Sequence, residues 1–242
     1  MALSLDHVVI AIDDLDAAIR DYRDLGFTVR RGGVHANHAT HNALITFADG
    51  TYLELLVSTG DPPLPGVIDF GVLLQHGEGL AGFALSSDDL DADAARLRAD
   101  GFAVGEVIPG ERRREDGTLI RWKLALIEDG FAPFLIQDVT PREWRVAATA
   151  HPNRARGLRG VEIAVRELTT AWNRYTTLLG TSQPFDADAC HAVDCVILRE
   201  AAADHETLFA LHLVCEHASD DSFPLEQTHG VRFRQFLAGP PP

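Results

Sequence analysis

The sequence predicts an α+β fold built from three βαβββ units. A strand that leads into a helix occurs three times, beginning near residues 5, 80 and 158. In the first two copies an Asp-Gly pair between apolar runs, at Asp49-Gly50 and Asp129-Gly130, marks a two-residue hairpin turn. A repeat of this length indicates one supersecondary unit per copy. The order of elements differs from the alternating strands and helices of a doubly wound sheet.

The first unit covers residues 1–60. Asp13 or Asp14 can cap a helix over residues 15–24, where apolar residues recur at helical spacing, and Gly26 can end it. The strands of this unit are predicted from apolar and β-branched runs over residues 5–12, 27–30, 41–48 and 51–57.

The second unit covers residues 79–140 and repeats this order. Ahead of it, a Pro- and Gly-rich connector leads into residues 67–78, which predict either a short helix or a loop. The helix of the second unit is predicted over residues 89–100 and is followed by Gly101. Its strands are predicted over residues 81–87, 102–108, 118–128 and 131–138.

A third, truncated unit covers residues 157–218, after a predicted linker that runs from Thr140 to Asn153. The final residues, 219–242, end in Gly-Pro-Pro-Pro and are expected to form a fraying tail. The elements of the third unit are a helix over residues 169–179 and strands near 192–199 and 207–215.

The composition limits the classes of binding partner and the cellular compartment that we expect. The chain has 242 residues and a formal net charge of −15, which disfavours nucleic acid and anionic membranes because both select basic surfaces. Three cysteines, Cys190, Cys195 and Cys215, give no disulfide framework and fit a reducing compartment. No secretory signal or membrane span is expected, so we predict a cytoplasmic protein.

Several motifs together resemble a known family. They are Leu5-Asp6-His7-Val8-Val9, His41-Asn42-Ala43-Leu44, Asp49 to Leu55, and His151-Pro152-Asn153. The chain resembles the glyoxalase-like domain group of the vicinal oxygen chelate superfamily, over residues 1 to about 215. The resemblance implies that two units form one open mixed-sheet barrel whose concave side holds a divalent metal such as iron, manganese, nickel or zinc. Some members of the superfamily bind ligands without any metal.

The resemblance also implies site residues. His7 and Glu54 match the metal positions of the first unit, and Glu54 is the candidate catalytic carboxylate, as ligand or general base. In the second unit the position that matches His7 is Gly82. The fourth-strand position is either Gln137, whose carbonyl oxygen can bind a ligand, or Phe134.

Other residues are candidates for the pocket. His41 is either a third ligand beside His7 and Glu54 or a strand-end histidine, and His38 is a weaker candidate of the same kind. Asn42 either holds a ligand or satisfies backbone groups. Trp122 either packs in the core or forms an aromatic wall of the cavity.

Three further features have competing interpretations. The basic run Arg112-Arg113-Arg114 is expected to be a solvated hairpin loop, with a clamp for an anionic substrate as the alternative. His212 in the third unit could occupy the place that Glu54 has in the first, an assignment that the sequence does not favour. The cysteines are expected to pack as small apolar residues.

The preferred function is binding of a small oxygenated organic molecule in the barrel cavity, with metal-dependent isomerase, lyase or dioxygenase chemistry. The alternative is a binding or sequestering protein without metal. Because barrels of this kind use units in pairs, the third unit predicts a homodimer in which third units meet, or else a lid over the first barrel.

Overall fold

A computed structural model describes the fold over most of the chain. The described residues are 3–35, 39–62, 77–114, 116–128, 133–182, 185, 192–201, 207–217 and 223–238. Some predictions fall on other residues, at 67–76, the Asp129-Gly130 turn, His38 and Cys190, and these lie outside the described residues.

The first two units have the βαβββ order that the repeats predict. The strands are β1 (Ser4–Ala11), β2 (Arg30–Val34), β3 (Thr40–Thr46), β4 (Tyr52–Ser58), β5 (Gly79–Ser86), β6 (Ile108–Arg113), β7 (Leu119–Ala125), β8 (Phe134–Asp138), β9 (Ala155–Val165), β10 (Ala192–Val193), β11 (Val196–Glu200), β12 (Thr207–Cys215) and β13 (Phe233–Leu237). The helices are α1 (Leu15–Asp24), α2 (Leu90–Ala99), α3 (Arg142–Arg145) and α4 (Leu168–Leu179). No helix of the described residues is long and apolar enough to cross a membrane.

The first two units share one eight-stranded mixed sheet, in the order β2-β3-β4-β1-β5-β8-β7-β6. β1 pairs in parallel with β4, β5 pairs in parallel with β8, and the antiparallel pair β1–β5 joins the units. A bridge between His35 and Arg112 connects the two ends of the sheet, which is therefore a nearly closed barrel. The predicted α+β fold of paired βαβββ units is confirmed.

Alternation along the strands separates the inside of the barrel from its outside. Leu53 and Leu55 of β4 belong to the large core between the barrel and the helices, whereas Leu56 belongs to a smaller apolar cluster inside the barrel. Glu54, which lies between Leu53 and Leu55, therefore faces inward. The large core also includes apolar residues of the strands β9, β11 and β12.

The helices begin and end where the sequence predicts, to within one residue. Asp14 caps α1 because its carboxylate accepts hydrogen bonds from the backbone N–H groups of Asp16 and Ala17. Glu167 caps α4 in the same way. Gly180 ends α4 with a φ of 68°, a conformation that favours glycine.

The strands β9 to β13 form a separate five-stranded sheet, in the order β10-β11-β9-β12-β13. The third unit supplies β9 to β12, and β13 comes from residues expected to fray. That expectation is wrong for Phe233–Leu237, which pairs in parallel with β12, and Phe233 is buried in the core. The apolar side chains Val231 and Phe233 anchor this segment.

Two predicted strands are displaced towards the C-terminus. The second strand was expected over residues 27–30, but the backbone N–H groups of Phe27 and Thr28 bond to Tyr22 and His151 instead, so β2 begins at Arg30. Likewise, Val104 forms only an isolated bridge, and the ladder of β6 begins at Ile108, after the predicted strand 102–108. The predicted linker contains the short helix α3.

Candidate functional site

A cavity of about 30 Å³ lies inside the barrel, enough for a group the size of about two water molecules. None of the described residues in β9 to β13 lines this cavity. The cavity walls therefore do not support the alternative in which the third unit forms a lid over the barrel. The lining residues are His7, His35, Asn42, Leu44, Tyr52, Glu54, Leu56, Arg112, Trp122, Leu124, Phe134, Ile136 and Arg145.

A β-bulge brings the side chains of Asp6 and His7 together. The pairing of β1 with β5 shifts register between Leu5 and His7, so Asp6 is the extra residue of the bulge. His7 Nδ1 lies 2.6 Å from Asp6 Oδ1, and the His7 ring stacks on Tyr52 at 4.4 Å. These two contacts orient the ring so that its Nε2 faces Glu54.

Buried arginines hold the Asp6 carboxylate in place. Arg145 donates to both Asp6 oxygens at 2.8 and 2.9 Å, and its Nε donates to Asp138 Oδ1 at 2.6 Å. Arg142 Nη1 lies 2.5 Å from Asp6 Oδ2. Burial alone would raise the pKa of Asp6, but the charge and hydrogen bonds of Arg145 hold it well below its usual range.

The Glu54 carboxylate lies between two imidazole rings. Its Oε2 is 3.4 Å from His7 Nε2, and its Oε1 is 3.5 Å from His35 Nε2. Asn42 Nδ2 also donates to Oε1 at 2.5 Å. Burial would raise the pKa of Glu54, but His7, His35 and Asn42 outweigh it and lower the pKa to about 2. The carboxylate is therefore ionised at neutral pH.

The pKa values of the two histidines shift in opposite directions. Burial would lower the pKa of His7, but the carboxylates of Asp6 and Glu54 raise it above its ordinary value. For His35, burial prevails over the attraction of Glu54 and lowers the pKa, and the charge of Arg112 lowers it further. The two carboxylates therefore favour the charged form of His7, whereas burial favours the neutral form of His35.

Asn42 is positioned by a close approach to the backbone of β2. A side chain at position 32 would collide with Asn42 Oδ1, so Gly32 is required for this packing. On the other side, Asn42 Nδ2 lies 3.4 Å from His35 Nε2. Gly32 thus allows Asn42 to reach both Glu54 and His35.

Arg112 lies between the cavity and a larger cleft of about 240 Å³. Its buried guanidinium group donates to the carbonyl oxygen of Gly32. The solvated-loop interpretation is therefore wrong for Arg112, which belongs to β6, and its position fits the alternative of a clamp. The cleft is lined by Arg30, Arg31, Leu44, Thr46, Arg112, Arg114, Asp116, Trp144, Arg145 and Ala147.

Two of the predicted substrate-binding residues do not reach the cavity. His41 follows Thr40 and precedes the inward-facing Asn42, so alternation turns it to the outer face of β3, where it is only partly buried. Gln137 also points away: its Oε1 accepts from Leu90 N at 3.2 Å and ties β8 to the start of α2. Neither residue is therefore among those that line the cavity.

Four predicted residues do meet in the cavity, namely His7, Asn42, Glu54 and Trp122. The sequence did not single out Asp6, His35 or Arg145, which complete the cluster. Asp6 stood in the quoted Leu5-Asp6-His7 motif, yet only the bulge turns it towards His7. His35 offered no signal beyond its proximity to the Gly32-Gly33 pair.

The residues of the second unit do not complete the metal site that the resemblance implies. Gly82 has no ligand atom, Gln137 faces α2, and Phe134 supplies an aromatic wall. In the part of the chain that the structure describes, no group of three or more His, Cys, Asp or Glu side chains is arranged to hold a metal ion. The donor set as it stands does not fit a chelated metal.

The sequence matches a family model over more than half of its length. A model described as a glyoxalase-like domain covers residues 5–179. The chain belongs to the glyoxalase-like domain family. This assignment agrees with the paired βαβββ units, and the matched range contains every cavity residue of this glyoxalase-like protein. The sequence matches no curated protein.

Solved structures support the fold of this glyoxalase-like protein. A hypothetical protein from Staphylococcus aureus has 18% sequence identity and a TM-score of 0.76, with 98% of this chain and 100% of that chain covered. Methylmalonyl-CoA epimerase from Streptomyces coelicolor has 26% identity and a TM-score of 0.41, covering 58% and 100%. The Mycobacterium tuberculosis epimerase has 25% identity and a TM-score of 0.42, covering 56% and 86%. Only the first likeness is strong enough to show the fold.

Proposed function

We propose that this glyoxalase-like protein binds a small oxygenated organic anion in the barrel cavity and transfers a proton on it, with Glu54 as the catalytic carboxylate. The observation that carries the proposal is the buried, ionised Glu54, each of whose oxygens faces an imidazole nitrogen. The lowered pKa keeps Glu54 in its proton-accepting form at neutral pH, and a strongly perturbed carboxylate that lines a cavity marks a candidate functional site.

Each neighbour of Glu54 has a role in this chemistry. Glu54 accepts a proton from a carbon atom next to a carbonyl group. The charged His7 and the guanidinium of Arg112 stabilise the negative charge that then develops on the carbonyl oxygen. Asp6 keeps His7 charged and oriented, because it binds the opposite ring nitrogen. Glu54 then returns the proton to the carbon, and exchange of that proton with solvent before its return is the event that the test below follows.

The cleft beside the cavity indicates an anionic substrate. The inner cavity admits only a small group, whereas the cleft is eight times larger by the same measure. Four arginines in addition to Arg112 line the cleft, with Asp116 as the acidic residue among its lining. A carboxylate or phosphate on the substrate would bind there, while its reacting carbon approaches Glu54.

The test measures proton exchange on simple probe molecules, so the natural substrate need not be identified first. Malonate and a panel of small 2-oxo acids are incubated with the protein in D2O, and loss of the carbon-bound hydrogen is followed by proton NMR. We expect exchange with at least one probe, and Glu54→Gln to slow it by about 100-fold or more. The matched control is Glu111→Gln, which removes an exposed carboxylate.

The outcomes separate the two functional classes. Exchange that is equally fast in Glu54→Gln would contradict the role of Glu54. Saturable binding of the probes with no exchange in the parent would overturn the catalytic proposal. That result would favour the alternative of a non-catalytic binding or sequestering protein.

A metal-dependent form of this chemistry is the second candidate. Its support is that His7, His35 and Glu54 converge, and that the other ring nitrogens of His7 and His35 bond to Asp6 and Thr40, as outer-shell partners of metal ligands do. Iron, manganese, nickel or zinc would act as a Lewis acid there. We derive no step through a metal, because the donor set does not fit one as it stands.

Metal content tests the second candidate directly. The protein purified without a histidine tag is analysed for iron, manganese, nickel and zinc, beside His7→Ala and Glu54→Ala. If the metal-dependent form is right, the parent holds close to one ion per chain and both variants lose it. Metal-free parent protein that gains no thermal stability from any of these ions would exclude it.

The remaining sequence predictions concern the assembly, the location and the partners of the protein. A homodimer and a cytoplasmic location remain predictions, as does the absence of nucleic acid and membrane partners. The cavity is built from one chain, so the proposed chemistry does not depend on the homodimer.

A further inference from the structure

The five-stranded sheet repeats the middle of the barrel strand for strand. β9 pairs in parallel with β11 and antiparallel with β12, as β1 does with β4 and β5. β12 pairs in parallel with β13, as β5 does with β8. The sheet therefore has a face that corresponds to the inner face of the barrel, and within the described residues it lacks counterparts of the strands that close the barrel.

The two bulges of the strand pair β1–β5 recur in this sheet. The pair β9–β12 shifts register between Leu158 and Gly160, so Arg159 takes the place of Asp6. It shifts again between Leu208 and Ala210, where Phe209 is the extra residue. Bulges re-aim side chains and are common beside functional sites. Here they direct Arg159 and Phe209 to the face that corresponds to the cavity.

A buried acid–histidine pair lies at the centre of this face. Glu162 Oε2 is 3.2 Å from His212 Nε2, and both side chains are at least nine-tenths buried. Arg234 Nε donates to the same oxygen at 2.6 Å, and Arg199 Nε lies 3.8 Å from Oε1. His212 is therefore not the counterpart of Glu54, since β12 corresponds to β5 and Glu54 lies in β4.

Aromatic rings hold the arginines of this face in place. The guanidinium groups of Arg199 and Arg232 lie 4.5 and 5.0 Å from the ring of Phe209. Arg159 lies 5.2 Å from the ring of Phe236. A guanidinium stacked on a ring keeps its N–H edges available for an anion. The side chain of Arg199 is 49% exposed, so a ligand can reach it.

The charges of this face do not balance. Four guanidinium groups, those of Arg159, Arg199, Arg232 and Arg234, share the face with Glu162, the carboxylate that pairs with Arg199 and Arg234. Burial lowers the pKa of His212, so this ring adds no charge at neutral pH. Among these described groups the net charge is positive, although the chain as a whole carries −15. A second copy of the same face would be repelled, whereas an anion is attracted.

We propose that this face is a second binding site, for a small molecule that carries a doubly charged oxyanion group. The edges of Arg199 and Arg232, which share the Phe209 ring, bind the oxyanion, while Arg234 and His212 hold the Glu162 carboxylate at the base of the site. Phosphate and dicarboxylates share the required geometry of paired oxygens. The site is independent of the proton transfer proposed for the barrel.

The test uses inorganic phosphate and succinate as probes. Binding is followed by amide NMR shifts and calorimetry, against chloride at equal ionic strength. We expect saturable binding with shifts in β9, β11, β12 and β13 that persist in Arg112→Gln, which separates them from any binding in the barrel cleft. The double variant R199Q/R232Q should weaken it by at least about tenfold. Preference for one probe identifies the oxyanion as phosphate or carboxylate.

Two control variants keep the result interpretable. Arg156→Gln removes an exposed arginine that pairs with Glu216 elsewhere on the same sheet. Arg112→Gln alters the barrel site, and both variants should bind the probes of the second site unchanged. Equal weakening by Arg156→Gln would show diffuse attraction to charge, and loss in Arg112→Gln would assign the binding to the barrel. Either result, or no saturable binding of either probe, overturns the proposal.

Discussion

Replacement of Arg145 by methionine is expected to lower the free energy of unfolding by about 3–5 kcal/mol. The side chain of Arg145 is 3% exposed, and it donates hydrogen bonds to Asp6, Asp138 and the hydroxyl group of Tyr52. Methionine fills a similar volume, but the fully buried Asp6 carboxylate then lacks the guanidinium group that donates hydrogen bonds to both of its oxygens. Urea unfolding followed by circular dichroism measures the loss.

Two comparisons isolate the cause of this loss. Arg142→Met removes a guanidinium group that also contacts Asp6 but is 38% exposed, so its loss should be smaller. In the double variant Asp6→Asn/Arg145→Met no buried charge is left without its partner, and the loss should be less than the sum of the single changes. A loss below about 1 kcal/mol in Arg145→Met would show that water already solvates Asp6.

The overall fold was predictable because local signals agree with the repeat. Asp14 and Gly180 mark helix ends by capping chemistry, which depends on residues close in sequence. The predictions failed where contacts between residues far apart in sequence determine the secondary structure. The strand predicted from Phe27 begins only at Arg30. The reason is that His151, about 120 residues away in sequence, accepts the hydrogen bond of the Thr28 backbone N–H group. The C-terminal strand β13 was missed for the same reason, since its partner is β12.

The candidate site was only half predictable, for a related reason. Inward residues on regular strands, His7 and Glu54, follow from alternation and from the resemblance. The same alternation excludes His41 once the inward position of Asn42 is known, but the register of β3 cannot be read from the sequence with that accuracy. Asp6 reaches the site through a bulge, and Arg145 through a four-residue helix inside a predicted linker. Neither feature has a distinctive sequence pattern.

Acid is expected to destabilise the protein strongly through Glu54. The pKa of this carboxyl is about 2 in the folded protein and 4.5 ordinarily, so the unfolded chain binds its proton first as the pH falls. The stabilisation is complete above about pH 4.5 and is lost progressively towards pH 2. The difference corresponds to roughly 3 kcal/mol. The lowered pKa of Asp6 also makes the folded protein less stable as the pH falls. The raised pKa of His7 has the opposite effect, because its stabilisation is lost as the pH rises through the pKa of the folded state.

The variant Glu54→Gln separates this contribution from that of Asp6. It should be less stable than the parent at pH 7, because a neutral amide cannot balance the charge of His7, and the two should converge towards pH 2. Thermal unfolding at half-unit steps from pH 7 to pH 2 measures the difference, with the exposed Glu143→Gln as the matched control. Parallel curves for Glu54→Gln and the parent would mean that the carboxylate gains nothing from its neighbours. The same neighbours are proposed to hold Glu54 ready for proton transfer, so that result would also remove the electrostatic basis of the proposed chemistry.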